Sequence, residues 1–230
     1  MQIIFQRVIQ SLLTIRFSLF QRHRHARLVL ERMAGLNLVV LPEVFNPALF
    51  FSSNLLAQAV AAMPLGPQAR ALDLGCGTGL QALVAARHGM QVVAIDVNPH
   101  AVRCTQINAL LNNRQQQIVV CLGDLFAPVA RQRFDLVIIN PPYFAGVPHT
   151  PLEQAFHSPD LPDLAWRFAT QLGAHLVPKG KALIVLSSIG NEHVFLNALQ
   201  RAGFVYTPVR QRNLISEVLT VYALTAKNNQ

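Results

Sequence analysis

"ALDLGCGTGL", Ala71–Leu80, is the stretch on which the fold turns. An apolar run suited to a buried strand stops at three alternate glycines, and a helical pattern begins at once. Gly75, Gly77 and Gly79 let the backbone bend sharply and lie against a ligand with no Cβ in the way. A dinucleotide fingerprint would place glycine or alanine five residues after the first glycine, where this chain has Leu80. Asp73, two residues before the first glycine, suits a ligand carrying positive charge better than a pyrophosphate. Alone, the pattern would also fit a plain strand-to-helix turn, so its surroundings decide.

Working outward, "RALDL", "QVVAID", "QIVVCLG", "FDLVIIN" and "KALIVLSS" read as strands, with helices expected over Leu80–His88, Pro99–Asn112 and Leu164–Leu176. Such alternation predicts βαβ units and a parallel sheet covered on both faces. "GFVYTPV" and "SEVLTVYALT" are joined by the short polar "RQRN" and no helix, which predicts an antiparallel pair at a sheet edge. The one long irregular segment is Ala145–Pro162, of a length that in a compact domain is usually functional.

Two further strands end in acids. "AIDVNP" puts Asp96 at a strand tip, 21 residues after Gly75, where a carboxylate can accept both hydroxyls of a ribose. "LGDLF" ends with Asp124 and Leu125, a polar group and an apolar surface able to flank a purine. Any one of these acids could be an ordinary turn residue before a helix. Their joint placement at carboxyl ends of strands marks a ligand crevice.

The sheet's next strand ends as "FDLVIINPPYF", Phe134–Phe144. Asn140 with the carbonyl of Pro141 can accept the two N–H bonds of a planar nitrogen. Pro142 stiffens the turn, and Tyr143 offers a flat surface to stack on.

These four places together resemble the class I S-adenosylmethionine-dependent methyltransferases, over roughly residues 40 to 226. The resemblance implies a Rossmann-like α/β fold: a mostly parallel seven-stranded sheet, helices on both faces, and an antiparallel C-terminal hairpin. It implies that the loop from Asp73 through Gly75, Cys76, Gly77 and Gly79 holds the methionine part of S-adenosylmethionine. Asp96, with Val97 beside it, would take the ribose, and Asp124 with Leu125 the adenine. Cys76 is read as packing within that loop. "NPPY" resembles the motif of methyltransferases acting on glutamine amides or exocyclic base amines, which implies catalytic roles for Asn140, Pro141, Pro142 and Tyr143 and a place for Asn140 beside the cofactor. Upstream, "LPEVFNPALFFSSNLLAQAV" is similar to the segment before the cofactor domain in HemK-like protein glutamine methyltransferases. That favours a protein substrate, a translation release factor first, over RNA or DNA, and it admits a small activating subunit. A non-catalytic cofactor-binding protein is the contrasting reading, opposed by the intact "NPPY".

Composition bounds the rest. The 230 residues, 52% hydrophobic, are enough for one sizeable core. Three cysteines without paired spacing favour neither a disulfide framework nor a metal site, and fit a reducing cytoplasm. Of the net charge of +8, an excess of five lies in residues 1 to 34, where six arginines face Glu31 alone. Within it, "RHRHAR" could meet phosphate, an anionic surface or an acidic partner, or be only a solvated face. Arg7, Arg16, Gln6 and Gln10 interrupt the apolar start, so no membrane span is expected there. Its spacing predicts an amphipathic helix instead. Residues 1–42 are therefore expected to form a basic helical segment, and 43–230 the cofactor-binding domain. His149 and His157 read as loop residues within reach of a substrate. Trp166 is expected on a buried helix face.

Overall fold

The computed structural model describes residues 27–227. The expected helix over the first twenty residues, and most of "RHRHAR", lie outside them. Within the supposed helical segment, β1 (Val29–Met33) and β2 (Leu36–Val40) form an antiparallel hairpin instead. Its turn uses Ala34 and Gly35, both at positive φ, and β2 alternates buried Leu36, Leu38 and Val40 with outward residues. A period of two, not 3.6, governs this stretch.

Seven strands make the main sheet. β3 (Arg70–Leu74), β4 (Gln91–Asp96) and β5 (Ile118–Leu122) pair in parallel, separated by α2 (Leu80–Arg87) and α3 (Pro99–Leu111); α1 (Phe51–Ala61) precedes them. The chain then crosses to the other side of β3, where β6 (Phe134–Ile139) lies parallel to it. A short parallel pair follows, β7 (Phe144–Ala145) with β8 (His157–Ser158), and then α4 (Leu161–Leu172), β9 (Leu176–Ser187) and α5 (Glu192–Arg201). β10 (Phe204–Asn213) and β11 (Val218–Ala226) end the chain as a hairpin, and β11 inserts antiparallel between β9 and β10. The order is β10-β11-β9-β6-β3-β4-β5. "RQRN" lies inside β10, so the turn comes later than its polarity implied.

Both faces are covered, which explains the near-continuous apolar strands. Along β6, Leu136 and Ile138 meet α1 and α2, while Val137 and Ile139 meet α4 and α5. Four tightly buried phenylalanines, Phe126, Phe134, Phe168 and Phe195, fill the second layer. The expected boundary at residue 42 does not divide the molecule. Asn108 of α3, fully buried, accepts from Val39 N (2.7 Å) and donates to Val39 O (2.8 Å) and Thr78 O (2.9 Å). One side chain thus ties the hairpin to the glycine turn. Strand order reverses between β3 and β6, and the crevice at such a switch point is where open α/β sheets bind ligands.

Candidate functional site

At the carboxyl ends of β3, β4, β5 and β6 lies a cavity of about 450 Å³. Asp73, Gly75, Cys76, Gly77, Asp96, Val97, Asp124, Leu125, Asn140, Pro141 and Pro142 all line it. Gly79 and Tyr143 do not. Gly79 starts α2 at φ +78°, where a Cβ would meet Thr105 at 2.7 Å, so its part is packing. A Cβ on Gly75 or Gly77 would meet no protein atom within 4 Å, which leaves the turn open to close approach by a ligand.

The acids are held by the backbone. Asp73, 2% exposed, accepts from Ala82 N in the first turn of α2 (3.0 Å). Asp96 accepts from Gly77 N and Asn98 N, both at 2.9 Å, one on each oxygen. A carboxylate oxygen has two lone pairs, so each keeps one for a further donor. Burial, helped by the neighbouring Asp96 charge and opposed by the Ala82 N–H, raises Asp73 to about 7. Burial also pushes Asp96 up against its backbone hydrogen bonds. Two crowded carboxyls in a cavity wall favour a positively charged occupant. Burial pushes the Cys76 thiol well up, with the Asp96 and Asp73 charges adding to it, so Cys76 is no nucleophile.

Asp124 is differently placed. It is half exposed and bonded by Arg167 Nη1 of α4 at 2.6 Å, while Arg167 Nε holds Asp163 at 2.7 Å. Arg167 also lines the cavity. No local pattern marks it in the sequence.

On the far side, the Asn140 side chain has its Oδ1 buried with no hydrogen-bond partner among the described residues. The adjoining turn is braced from behind, because fully buried Asn191 donates from Nδ2 to Pro142 O (2.8 Å) and accepts from Ser187 N (3.3 Å). Tyr143 packs behind the cavity, not across it. Burial pushes its phenol well up; the Ser52 side chain opposes that rise, although no hydrogen bond of good geometry joins them. A flat aromatic ring stands elsewhere on the cavity wall. Phe45 lines the cavity, stacked on Phe50 (4.8 Å) and tilted against Phe156 (5.3 Å).

The long loop after Tyr143 folds back on the turn. Tyr143 N and Phe144 N both donate to Phe156 O, and Gly146 N to Ser158 O. This brings His157 to the cavity wall, whereas His149 stays exposed. Trp166 is 41% exposed under the Arg201 guanidinium (5.0 Å), not buried, because Ala165, Phe168 and Leu172 form the inner face of α4. Among the described residues no cluster of His, Cys, Asp or Glu could hold a metal ion, and no helix is long and apolar enough to cross a membrane.

Over residues 35–207 the sequence matches the methyltransferase small domain family. The chain belongs to it. This methyltransferase draws its methyl group from S-adenosylmethionine, and the open Gly75–Gly77 backbone beside two buried acids fits a cationic nucleoside donor. A Methanocaldococcus jannaschii protein whose name proposes protein N5-glutamine methylation is 31% identical over 176 residues, 74% of this chain and 85% of its own. A release factor glutamine methyltransferase of Geobacter sulfurreducens is 30% identical over 191 residues, 76% of this chain and 63% of its own. A tRNA1(Val) (adenine(37)-N6)-methyltransferase of Porphyromonas gingivalis is 38% identical over 101 residues, 40% of each. The chain spans less than two thirds of the length of the latter two.

Proposed function

We propose that the methyltransferase modifies a planar nitrogen, the side-chain amide of a glutamine in a protein, with a release-factor-like protein as substrate. The observation that carries the planar nitrogen is the buried, unpaired Asn140 Oδ1 at the cavity wall. Leaving such an acceptor unmade costs about 1–3 kcal/mol, so it calls for a donor from the ligand. An amide nitrogen has two N–H bonds to give, one to Asn140 Oδ1 and one to the Pro141 carbonyl.

Bound in this cavity, S-adenosylmethionine supplies a sulfonium methyl to that nitrogen. Asp73, Gly75, Gly77, Asp96, Val97, Asp124 and Leu125 are the residues to hold it. An amide lone pair is delocalised into its carbonyl and is a poor nucleophile unless aimed. Asn140 and Pro141 aim it, and Asn191 fixes the turn that carries them. No buried base is needed, since a proton on the methylated nitrogen is acidic enough to pass to water. Phe45 offers the apolar side of the amide a flat wall. The three cysteines are all free, in keeping with a cytoplasmic setting.

The choice of protein over nucleic acid rests on the relative proposed to methylate glutamine, matched over 85% of its length, against 40% for the adenine enzyme. Labelling with radioactive S-adenosylmethionine tests it. A release factor with a Gly-Gly-Gln loop should take up label, and replacing that glutamine should abolish it. Label in RNA or DNA that survives protease and is lost to nuclease would overturn the protein reading.

A further inference from the structure

Glu43 is a further acid on the cavity wall, half-buried with its Oε2 buried, that neither the glycine turn nor the strand tips account for. It lies in the strap Leu41–Phe50 between the N-terminal hairpin and α1, lines the cavity beside Asp96, Val97 and Asn98, and has φ +63°. Left-handed backbone at a residue other than glycine costs about a kcal/mol or more and persists only where the surroundings enforce it. Here they do. Asn98 Nδ2 donates to the Glu43 carbonyl at 2.7 Å, while the same Asn98 donates from its backbone N–H to Asp96. The strap is anchored again at its middle by Asn46, 1% exposed, whose Nδ2 donates to Glu31 Oε1 of β1 at 2.9 Å. Glu43 is thus locked to the element that positions Asp96, yet its Oε2 is buried with no partner among the described residues.

The contrast with Asp96 assigns the donor group Glu43 awaits. Both Asp96 oxygens already accept a backbone N–H, whereas Glu43 Oε2 accepts nothing. A ribose brings two adjacent hydroxyls, and Glu43 Oε2, with both lone pairs uncommitted, is the acceptor on this wall with the most capacity for one of them. We infer that Glu43 is a second ribose-binding acid, accepting one hydroxyl of the nucleoside from the strap side while Asp96 accepts the other from the sheet side. This rests on placing the ribose at the Asp96 end of the cavity.

Titration calorimetry on the full chain tests it, with thermal unfolding confirming that each variant is folded. Glu43→Gln keeps the shape and removes the charge, so it is preferred to Glu43→Ala. It should weaken S-adenosylhomocysteine about tenfold, the loss of a hydrogen bond to a charged group. S-adenosylmethionine should weaken by the same factor, because a ribose contact is blind to the sulfonium charge. An S-adenosylhomocysteine analogue lacking both ribose hydroxyls should bind wild type and Glu43→Gln alike. Unchanged S-adenosylhomocysteine affinity would sink the inference, as would a loss confined to S-adenosylmethionine or one that persists with the dideoxy analogue. Asp96→Asn, run in parallel, separates the two claims. If it weakens binding while Glu43→Gln does not, only the role of Glu43 fails; if it too has no effect, the ribose placement is wrong.

Discussion

The two walls of the cavity differ in how finished they are. On the side of β3 and β4, polar groups are paired within the chain: Asp73 with Ala82 N, Asp96 with Gly77 N and Asn98 N. On the side of β6 and the strap, Asn140 Oδ1 and Glu43 Oε2 are buried and paired with nothing described. A wall already satisfied binds a ligand by adding contacts to a rigid frame. A wall with orphaned acceptors is completed only when a ligand arrives, so its geometry matters most at the moment of reaction. Mutations at Asn140 and at Asp96 should therefore separate chemistry from cofactor affinity.

The largest effect is expected at Asn140. Asn140→Ala should slow methyl transfer about a hundredfold or more, because a misaimed nucleophile loses rate steeply. S-adenosylhomocysteine affinity by calorimetry should change far less. Near wild-type single-turnover rates would remove Asn140 from the aiming of the acceptor.

Next comes the opposite wall. Asp96→Ala should weaken S-adenosylmethionine binding by on the order of 1.5 to 3 kcal/mol, the range for hydrogen bonds to a charged group. The rate at saturating cofactor should be nearly kept. A variant that binds normally but turns over slowly would erase the division between the walls.

That division also explains what was legible in the sequence. The finished wall is made of local signals: glycines after a strand, acids at strand tips, each within a few residues of the element it serves. The unfinished wall is assembled from afar. Asn191 reaches Pro142 across 49 residues of chain, and at the β5 end of the cavity Arg167 reaches Asp124 across 43, with nothing periodic to announce either. The parallel core of the sheet followed from the strand-helix alternation. The β1–β2 hairpin was obscured because the helical pattern expected before it was carried on to residue 42, past the Ala34–Gly35 turn. Tyr143 was misplaced because the motif suggests a face turned to the ligand, while the turn, pinned by Asn191 and Phe156, directs that ring behind the cavity.

A smaller effect probes the brace. Asn191→Ala removes the donor to Pro142 O and the acceptor for Ser187 N, and unmade buried groups cost about 1–3 kcal/mol of stability in urea unfolding. If the brace also positions Asn140, turnover should fall about tenfold at unchanged S-adenosylhomocysteine affinity. A loss of stability with turnover intact in the folded fraction would make Asn191 structural only.

The smallest effect lies in the finished wall and depends on pH. The Asp73 carboxyl titrates near 3.8 when free and about 7 in the folded chain, so the folded state holds its proton more tightly than the unfolded state does. The sign follows from that difference. Its contribution to stability is fully present below about pH 4 and is lost as pH rises to about 7, because the unfolded chain gains from ionisation that burial denies the folded one. A sulfonium in the cavity reverses part of this penalty by favouring the ionised form, and a neutral thioether does not. Affinity for S-adenosylmethionine should therefore rise about threefold between pH 6 and pH 8, while that for S-adenosylhomocysteine stays nearly flat over the same range. Asp73→Asn, which can still accept from Ala82 N, should flatten the first curve onto the second. Parallel curves in wild type would mean that the charge of Asp73 is not felt at the sulfonium, leaving Asp73 as the acceptor that fixes the first turn of α2.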